Sequence, residues 1–458
     1  MPADESVDRE IEERPWHVAL FDPSAWWRRS VFLLAAIATG AAALFFNLAD
    51  RGSVQFRAFL LEGKTLFGMQ IDPLAGTCIA MGLAIGGMWL VMTLRDRYFP
   101  GTQGTGIPQV MASLDVDADD PLRKQMLSWR IAFGKALLLL LGIYAGATIG
   151  REGPSVHVGA CLIYLTAAWT RSPSWAIQRG LILTGGAAGI AAAFNAPIAG
   201  AIFAIEEIGR SFEKKNVGLI LLGVAVACTT CWLYLDDYVF YGRVNPSFAN
   251  ATQWLAIIPV AALCGLLGGA FSRVVVAGTL WINANLRNHR VLVPLGLGTA
   301  LALLGLFSGG SSYGSGYEEA RAILIDGTTM PTSYAFTKAA GSFVSLISGI
   351  PGGLFDPSFS VAAALGQLLA PFFPGIDPLC IIMVAMTSYF SGVVRSPITA
   401  VVILLEMTLA RDMAMALFMA SVIAVEASKL VCKTPIYEAL AEIFLQGLRQ
   451  KDAERPAA

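Results

Sequence analysis

Two acidic side chains stand inside apolar stretches of the chain, where a carboxyl group could bind and release a proton. Glu152 lies in the motif GREGP at 150–154, and Glu207 follows a long apolar segment. Ionisable residues at membrane depth are costly and usually functional. An ionised Glu152 could also occupy a position that suits a small anion. Protonation would free that position, which would couple proton binding to anion movement.

Glycine and proline interrupt the apolar sequence at 104–108, 150–154 and 352–357. Proline is accepted in the first turn of a helix because the N–H group that it lacks has no partner there. Each interruption therefore predicts a loop that leads into a helix N-terminus. The free N–H groups and the positive dipole end of such a terminus can bind an anion without a full positive charge. We expect several of these helix ends to converge on one small anion.

The acidic residues also have simpler structural interpretations. An isolated Arg151–Glu152 dipeptide in a turn would be an interfacial ion pair. Glu206 and Glu207, followed by Arg210, would mark the point where a helix emerges into the cytoplasm. A functional interpretation of Glu152 and Glu207 therefore depends on the motifs around them.

The elements that must position these residues are membrane helices. Of 458 residues, 55% are hydrophobic and 14% are charged, whereas soluble domains are about one quarter charged. Several apolar runs approach the roughly 20 residues that a helix needs to cross the hydrocarbon core. Because these runs are continuous rather than alternating, they indicate helices and not a barrel. The fold class predicted is an all-α, polytopic integral membrane protein. The apolar runs are 31–49, 75–94, 136–147, 217–235, 254–270, 291–306 and 380–389 onward.

Charged residues beside the first two spans predict the orientation. Arg28 and Arg29 precede the first span, and Arg95 and Arg97 follow the second, which places both ends in the cytoplasm. The first residues lack the apolar core and cleavage site of a signal peptide. We therefore expect a multi-pass protein of the cell (inner) membrane with cytoplasmic termini. The predicted divisions are a cytoplasmic N-terminal segment at 1–30, one transmembrane domain at 31–440 and a cytoplasmic tail at 441–458.

The chain contains an internal repeat, with one copy at about 31–234 and the other at about 253–437. Lysine, glycine, proline and serine recur in the same order, which the packing needs of helices alone would not explain. Repeats of this kind are typical of transporters, and substrate sites lie where the two halves meet. The matching segments are 135–155 with 338–358, 195–206 with 395–406 and, more weakly, 104–106 with 314–316.

Composition argues against several other classes. The net charge is −1 and there is no tract rich in lysine and arginine, so no nucleic-acid partner is expected. Cys228 and Cys231 form a CxxC inside an apolar run, where they are expected to be small buried side chains. With three histidines in all, no metal site and no cofactor are expected. A membrane-embedded enzyme is a further alternative, but it would need a nucleophile paired with His157, and the sequence shows none.

The three motifs resemble the anion-site signatures of the CLC family, in the order found in that family. They are GTGIP at 104–108, GREGP at 150–154 and GLFDP at 353–357, and Tyr437 resembles the late tyrosine that completes the site. The resemblance implies an inverted-repeat helical bundle with broken helices. It also implies a homodimer in which each subunit has its own pathway for chloride. Because the sequence ends shortly after Tyr437, the cytoplasmic nucleotide-binding (CBS) modules of many eukaryotic relatives are not expected.

The resemblance also assigns roles to individual residues. Thr105 and Tyr437 would offer their hydroxyls to a central chloride. Glu152 would be the gating glutamate, and Glu207 the inner proton-transfer glutamate, which exchangers keep and channels generally lack. The function implied is chloride/proton exchange, and a passive chloride channel of the same fold is the alternative. The further residues assigned to the anion site are Gly106, Ile107, Gly153, Leu354 and Phe355.

Two residues depart from the family pattern. Thr105 stands where serine is most common, and it keeps the hydroxyl; relatives that prefer nitrate tend to have proline there, so chloride is the expected anion. Asp356 follows Phe355 directly, and a carboxylate there would repel an anion unless it is turned away, paired or protonated. The sequence alone offers no account of Asp356.

Overall fold

The computed structural model describes residues 23–66, 68–117, 120–170, 175–210, 214–235, 238–286 and 289–453. Most of the predicted N-terminal segment and the end of the predicted tail lie outside these residues. The predicted boundaries near 30 and 440 fall inside helices, because the first helix begins at Pro23 and the last one runs from Ile436 to Ala453. The domain division therefore stays a prediction.

The described residues form helices and connecting loops without a β-strand. All of the predicted apolar runs are largely or wholly helical, which confirms the all-α membrane fold. Seven helical stretches among the described residues are long and apolar enough to cross a membrane. The helices are α1 Pro23–Glu62, α2 Pro73–Tyr98, α3 Ile107–Leu114, α4 Leu122–Met126, α5 Trp129–Tyr144, α6 Glu152–Trp169, α7 Trp175–Phe194, α8 Pro197–Phe203, α9 Lys214–Leu235, α10 Ile257–Asn285, α11 Leu292–Phe307, α12 Tyr317–Ile325, α13 Tyr334–Ile347, α14 Phe355–Leu369, α15 Pro378–Val394, α16 Pro397–Thr408, α17 Ala414–Val431 and α18 Ile436–Ala453.

The internal repeat is visible in the backbone as matched left-handed residues. At three equivalent positions, each half has a residue of positive φ in the connection that leads from one helix to the next. Such residues end or redirect a helix and favour glycine. The two halves therefore share their helix boundaries as well as their sequence pattern. The matched φ values are 83° at Gly146 and 68° at Gly349, 99° at Gly106 and 85° at Gly316, and 54° at Asn195 and 68° at Arg395.

The two halves cap each other reciprocally through one pair of glutamates. The carboxylate of Glu406, near the end of α16, accepts hydrogen bonds from the N–H groups of Ile198 and Ala199 at 3.1 and 2.7 Å. Glu206 follows α8 in a π-helical turn, Ala204–Ile208, and accepts from the N–H group of Ile398 at the start of α16 at 3.1 Å. Each carboxylate thus satisfies the free N–H groups of the other half's helix. This contact gives Glu406 a structural role.

One buried lysine in each half holds the loop that precedes a short helix. Lys135 donates to the carbonyl groups of Thr102 and Gly104 at 2.8 and 2.7 Å, just before α3. Lys338 donates to the carbonyl group of Tyr313 at 2.9 Å, before α12. A buried ammonium group needs such acceptors, because burial without partners is costly. The Lys135 contacts fix the loop that carries Thr105, and the Lys338 contact fixes the equivalent loop of the other half.

Candidate functional site

The two halves meet backbone to backbone immediately before α6 and α14. The N–H group of Gly150 donates to the carbonyl oxygen of Gly353 at 2.8 Å, and the N–H group of Gly353 donates to that of Gly150 at 2.6 Å. A second contact joins the N–H group of Gly104 to the carbonyl oxygen of Gly349 at 3.0 Å. Three predicted loops therefore converge at one junction, which brings the N-termini of α3, α6 and α14 together. We call the reciprocal Gly150–Gly353 contact the glycine junction.

The carboxylate of Glu152 lies directly against the glycine junction. A Cβ atom on Gly150 would stand 2.2 Å from Glu152 Oε2, and one on Gly353 would stand 2.4 Å from the same oxygen. Glycine is therefore required at both positions while the carboxylate is there. Glu152 is the first residue of α6 and is fully buried. Neither of its carboxylate oxygens has a hydrogen-bond donor within the described part of the chain.

The starts of α3 and α6 are in direct contact. A Cβ atom on Gly153 would stand 2.6 Å from the carbonyl oxygen of Thr105, and one on Gly106 would stand 2.5 Å from Cβ of His157. Small residues at both positions let the two helix ends approach closely. His157 lies on α6 with Nε2 2.8 Å from the carbonyl oxygen of Met126, as a packed helix residue. Gly106 and Gly153 thus place Thr105 beside the first turn of α6.

Thr105 and Tyr437 are both buried and both have an unused hydroxyl. Thr105 is 2% exposed and Tyr437 is 0% exposed. Neither hydroxyl has a hydrogen-bond partner among the residues that the structure describes. Thr105 lies just before α3, and Tyr437 lies at the start of α18. These two helices pack against each other. Because an unpaired buried hydroxyl is costly, the pair fits a site completed by an acceptor such as a small anion.

Phe355 is fixed at the start of α14 by a cage of aromatic rings. Its ring stacks on Phe194 with a centroid distance of 5.9 Å and meets Phe390 edge to face at 4.7 Å. Its centroid lies 6.3 Å from that of Tyr437. Leu354 caps the same helix, and both residues are fully buried. The cage therefore holds the N-terminus of α14 next to the Tyr437 phenol. Ile107, the first residue of α3, is also fully buried.

Glu207 lies in the π-helical turn that follows α8 and is 6% exposed. Its carboxylate accepts a hydrogen bond from the hydroxyl of Ser396, which precedes α16. Arg210, which follows, instead contacts Glu438 at 3.5 Å. Because Glu438 directly follows Tyr437, this contact places the turn that carries Glu207 beside the start of α18. Glu207 is therefore buried near the site, whereas a glutamate that only marks a helix emerging from the membrane would be exposed.

Arg151 does not form an ion pair with Glu152. Its Nη1 atom instead bonds the Asp50 carboxylate on α1 at 3.1 Å, and both side chains are buried. Ser315 donates to the same Asp50 oxygen at 3.2 Å. The interfacial Arg151–Glu152 pair considered from the sequence is therefore wrong. Asp50 was not identified from the sequence, where it is one acid near the end of an apolar run.

Asp356 lies close to Glu152 across the glycine junction, because the Glu152 carboxylate rests against Gly353, three residues before Asp356. Asp356 is the second residue of α14 and is fully buried. The acid was visible in the motif at 353–357, but its partner could not be predicted, because Glu152 lies in the other half of the chain. The site thus has one more carboxyl group than the motifs alone assign to it.

These features define an inverted-repeat helical membrane protein with broken helices whose ends meet at a buried polar site. Residues 82–429 match the family model Voltage_CLC, described as voltage gated chloride channel. This match covers well over half of the chain, and the chain therefore belongs to the CLC family. The predicted membership of the CLC family is confirmed.

Curated relatives match along most of the chain. The H(+)/Cl(−) exchange transporter ClcA of Yersinia pestis bv. Antiqua (strain Angola) is 29% identical over 398 residues, which are 82% of this chain and 80% of that protein. ClcA of Vibrio parahaemolyticus serotype O3:K6 is 27% identical over 453 residues, which are 92% of each chain. The chain is thus similar to bacterial transporters nearly from end to end.

Solved structures share the fold. A slow cyanobacterial Cl−/H+ antiporter superposes with a TM-score of 0.80 at 23% identity, covering 93% of this chain and 99% of that one. A CLC-type fluoride/proton antiporter gives a TM-score of 0.73 at 22% identity, covering 89% and 96%. These likenesses confirm the predicted inverted-repeat architecture.

Proposed function

We propose that this protein is a secondary active transporter that exchanges chloride for protons. In this proposal Thr105 and Tyr437 bind a central chloride with their hydroxyls. The backbone N–H groups of Leu354 and Phe355 bind the same ion. Glu152 is the gate that occupies an anion position when it is ionised, and Glu207 passes the proton at the inner end. Gly106, Ile107 and Gly153 complete the anion site.

One observation carries the proposal. Glu152 is buried against the glycine junction, and Glu207 is buried in the turn before Arg210, which contacts the start of α18, where the Tyr437 hydroxyl has no partner in the described chain. A carboxylate against the glycine junction and a halide near Tyr437 would use the same helix ends. Because both are anions, protonation of Glu152 favours chloride and ionisation opposes it. The names of the ClcA relatives support exchange of these two ions.

The test is the reversal potential of the purified protein in liposomes with opposed chloride and proton gradients. Exchange predicts that a chloride gradient drives protons uphill, so the reversal potential departs from that of chloride alone. Chloride flux that moves no protons would contradict exchange and favour the passive channel. The buried position of Glu207 beside Ser396 supports exchange over that alternative.

The substitution Tyr437→Phe is expected to weaken chloride binding about tenfold or more, because a hydrogen bond to a charged group is lost. Phenylalanine keeps the ring beside Phe355 and leaves no cavity. Calorimetric titration with chloride measures the change, and Tyr164→Phe on α6 is the matched control. Unchanged affinity in Tyr437→Phe would remove the phenol from the site. Density for bromide among Thr105, Phe355 and Tyr437 in a soaked crystal would locate the ion directly.

The substitution Gly150→Ala is expected to displace the Glu152 carboxylate without unfolding the protein. The new methyl group would stand 2.2 Å from Glu152 Oε2, which is the end of a flexible side chain, and Gly150 is not in the left-handed region. We expect chloride flux at alkaline pH to rise several-fold, because the gate no longer rests against the junction. Chloride efflux from liposomes measures it.

The control for Gly150→Ala is Gly218→Ala on α9, where an added Cβ atom has no neighbour within 4 Å. This variant should behave as the wild type. A Gly150→Ala protein with normal flux and normal pH dependence would show that the position of Glu152 at the junction does not gate chloride.

We propose that the protein forms a homodimer in the cell membrane, where lipid surrounds it. Both termini of each subunit would lie in the cytoplasm. Apolar side chains are exposed at equivalent places in the two halves, among them Ile198 on α8 and Ile398 on α16. An exposed apolar surface suits either lipid or a second subunit. Native mass spectrometry from lipid nanodiscs separates the two, since a dimer requires twice the chain mass.

A further inference from the structure

The glycine junction brings the carboxyl groups of Asp356 and Glu152 together. Glu152 is the first residue of α6 and Asp356 is the second residue of α14. The reciprocal hydrogen bonds between Gly150 and Gly353 hold these helix starts head to head. Both side chains are 0% exposed, and the Glu152 carboxylate rests against Gly353, three residues before Asp356, where an added Cβ atom would stand 2.4 Å from Glu152 Oε2. The backbone contact therefore places these two buried acidic residues close together.

None of the four carboxyl oxygens of this pair receives a hydrogen bond from a donor in the described chain. Two ionised carboxylates close together inside a membrane protein would repel each other with little screening. When two carboxyl groups lie close together in a buried site, ionising both is costly, and the two groups can share a proton instead. One proton between the two groups would supply the missing donor.

The neighbouring charged groups do not remove the need for a proton on this pair of carboxyl groups. The buried cation nearest in sequence, Arg151, is held by Asp50 at 3.1 Å. Lys338 donates to backbone carbonyl groups, including that of Tyr313 at 2.9 Å. No ion pair to Asp356 or Glu152 is present within the described ranges. The titratable groups that face the two carboxyl groups are Asp50 on α1, Arg151 before α6, Tyr238 and Tyr241 after α9, Lys338 on α13 and Tyr437 on α18.

We propose that Asp356 carries a proton that it shares with Glu152, so that the gate is a pair of carboxyl groups and not a single glutamate. This inference rests on the proposed gating role of Glu152. In the closed state Asp356 donates its proton in a hydrogen bond to the ionised Glu152 and stabilises that ionised form. Uptake of a second proton makes the pair neutral, and chloride then takes the position. The shared proton also explains how an acid next to the Phe355 amide is compatible with an anion site.

The direction in which Asp356 substitutions shift the pH dependence of chloride flux tests the proposal. Chloride flux should rise as the pH falls and the pair takes its second proton. Asp356→Ala removes the donor to ionised Glu152, so Glu152 will bind its proton at higher pH. The pH at which chloride flux is half-maximal, which we call the midpoint, should move up by about one pH unit or more. A shift of this size corresponds to the free energy of one hydrogen bond to a charged group. Asp356→Asn keeps an amide donor and should shift the midpoint less, in the same direction.

Other outcomes overturn the proposal. If Asp356 were ionised, its removal would relieve repulsion and the midpoint would move to lower pH. A midpoint that does not move would show that Asp356 does not act on the gate. Asp412→Ala, at an exposed site in the turn Arg411–Met413, is the control and should leave the midpoint unchanged. If Asp356→Ala does not fold, Asp356→Asn decides the sign.

Infrared spectroscopy of the purified protein in lipid gives a second readout that does not depend on transport. At a pH well above the activation midpoint of Asp356→Ala, where Glu152 of that variant is ionised, the wild type should show the C=O stretch of a protonated carboxylic acid and Asp356→Ala should lack that band. An identical spectrum for both proteins would overturn the shared proton. If the wild type fails to exchange chloride for protons but the band is lost in the variant, the proposed function fails and the shared proton stands.

Discussion

Glu152→Ala is expected to leave a chloride leak that carries no protons and no longer depends on pH. In the wild type, ionised Glu152 rests against the glycine junction and opposes chloride, so flux should fall as the pH rises. The methyl group of alanine can neither occupy an anion position nor bind a proton. The reversal potential should therefore equal that of chloride alone.

Chloride efflux and proton uptake by the same liposomes, followed from acidic to mildly alkaline pH, measure both effects. The matched control is Glu62→Ala, an exposed glutamate near the end of α1 that pairs with Lys64. This control should retain coupling and pH dependence. A Glu152→Ala protein that still pumps protons would refute the gating role, whatever its chloride flux.

Glu207→Gln is expected to abolish proton movement while chloride flux continues. Glutamine has nearly the same shape and can still hydrogen-bond the Ser396 hydroxyl, so the turn Ala204–Ile208 should persist. It cannot bind and release a proton at any ordinary pH, which breaks the proton path and leaves the anion site intact. The proton-to-chloride ratio should drop to zero.

The control for this change is Glu438→Gln. Glu438 contacts Arg210 at 3.5 Å and is partly exposed, near Glu207 but not buried with it. It should transport both ions as the wild type does. Equal loss of coupling in both variants would show a general electrostatic effect, and full coupling in Glu207→Gln would remove Glu207 from the proton path.

The sequence predicted the site well where the information is local. Glycine and proline mark where α3, α6 and α14 begin, and the helix ends follow from that chemistry. The repeat in the sequence also indicated that these ends would meet between the two halves. Thr105 and Tyr437 needed the family resemblance, because a hydroxyl next to a turn or a helix end is common in proteins.

Contacts between distant side chains could not be predicted. Asp50 and Arg151 lie 101 positions apart, and nothing in the local pattern of either indicates the other. Glu206 and Glu406 were visible as a matched pair, yet their reciprocal capping depends on how α8 and α16 pack. The proximity of Asp356 to Glu152 is of the same kind. It arises because two helix starts are aligned head to head.

The glycine junction restricts the way in which this protein can change conformation. Rocking of one half against the other would separate Gly150 from Gly353 and break both of their hydrogen bonds in a region remote from bulk water. Each broken bond would cost several kcal/mol without a replacement partner. We therefore expect the transport cycle to proceed through rotation of individual side chains within a nearly rigid frame. Locking the halves together by an engineered cross-link near the junction should leave turnover largely intact.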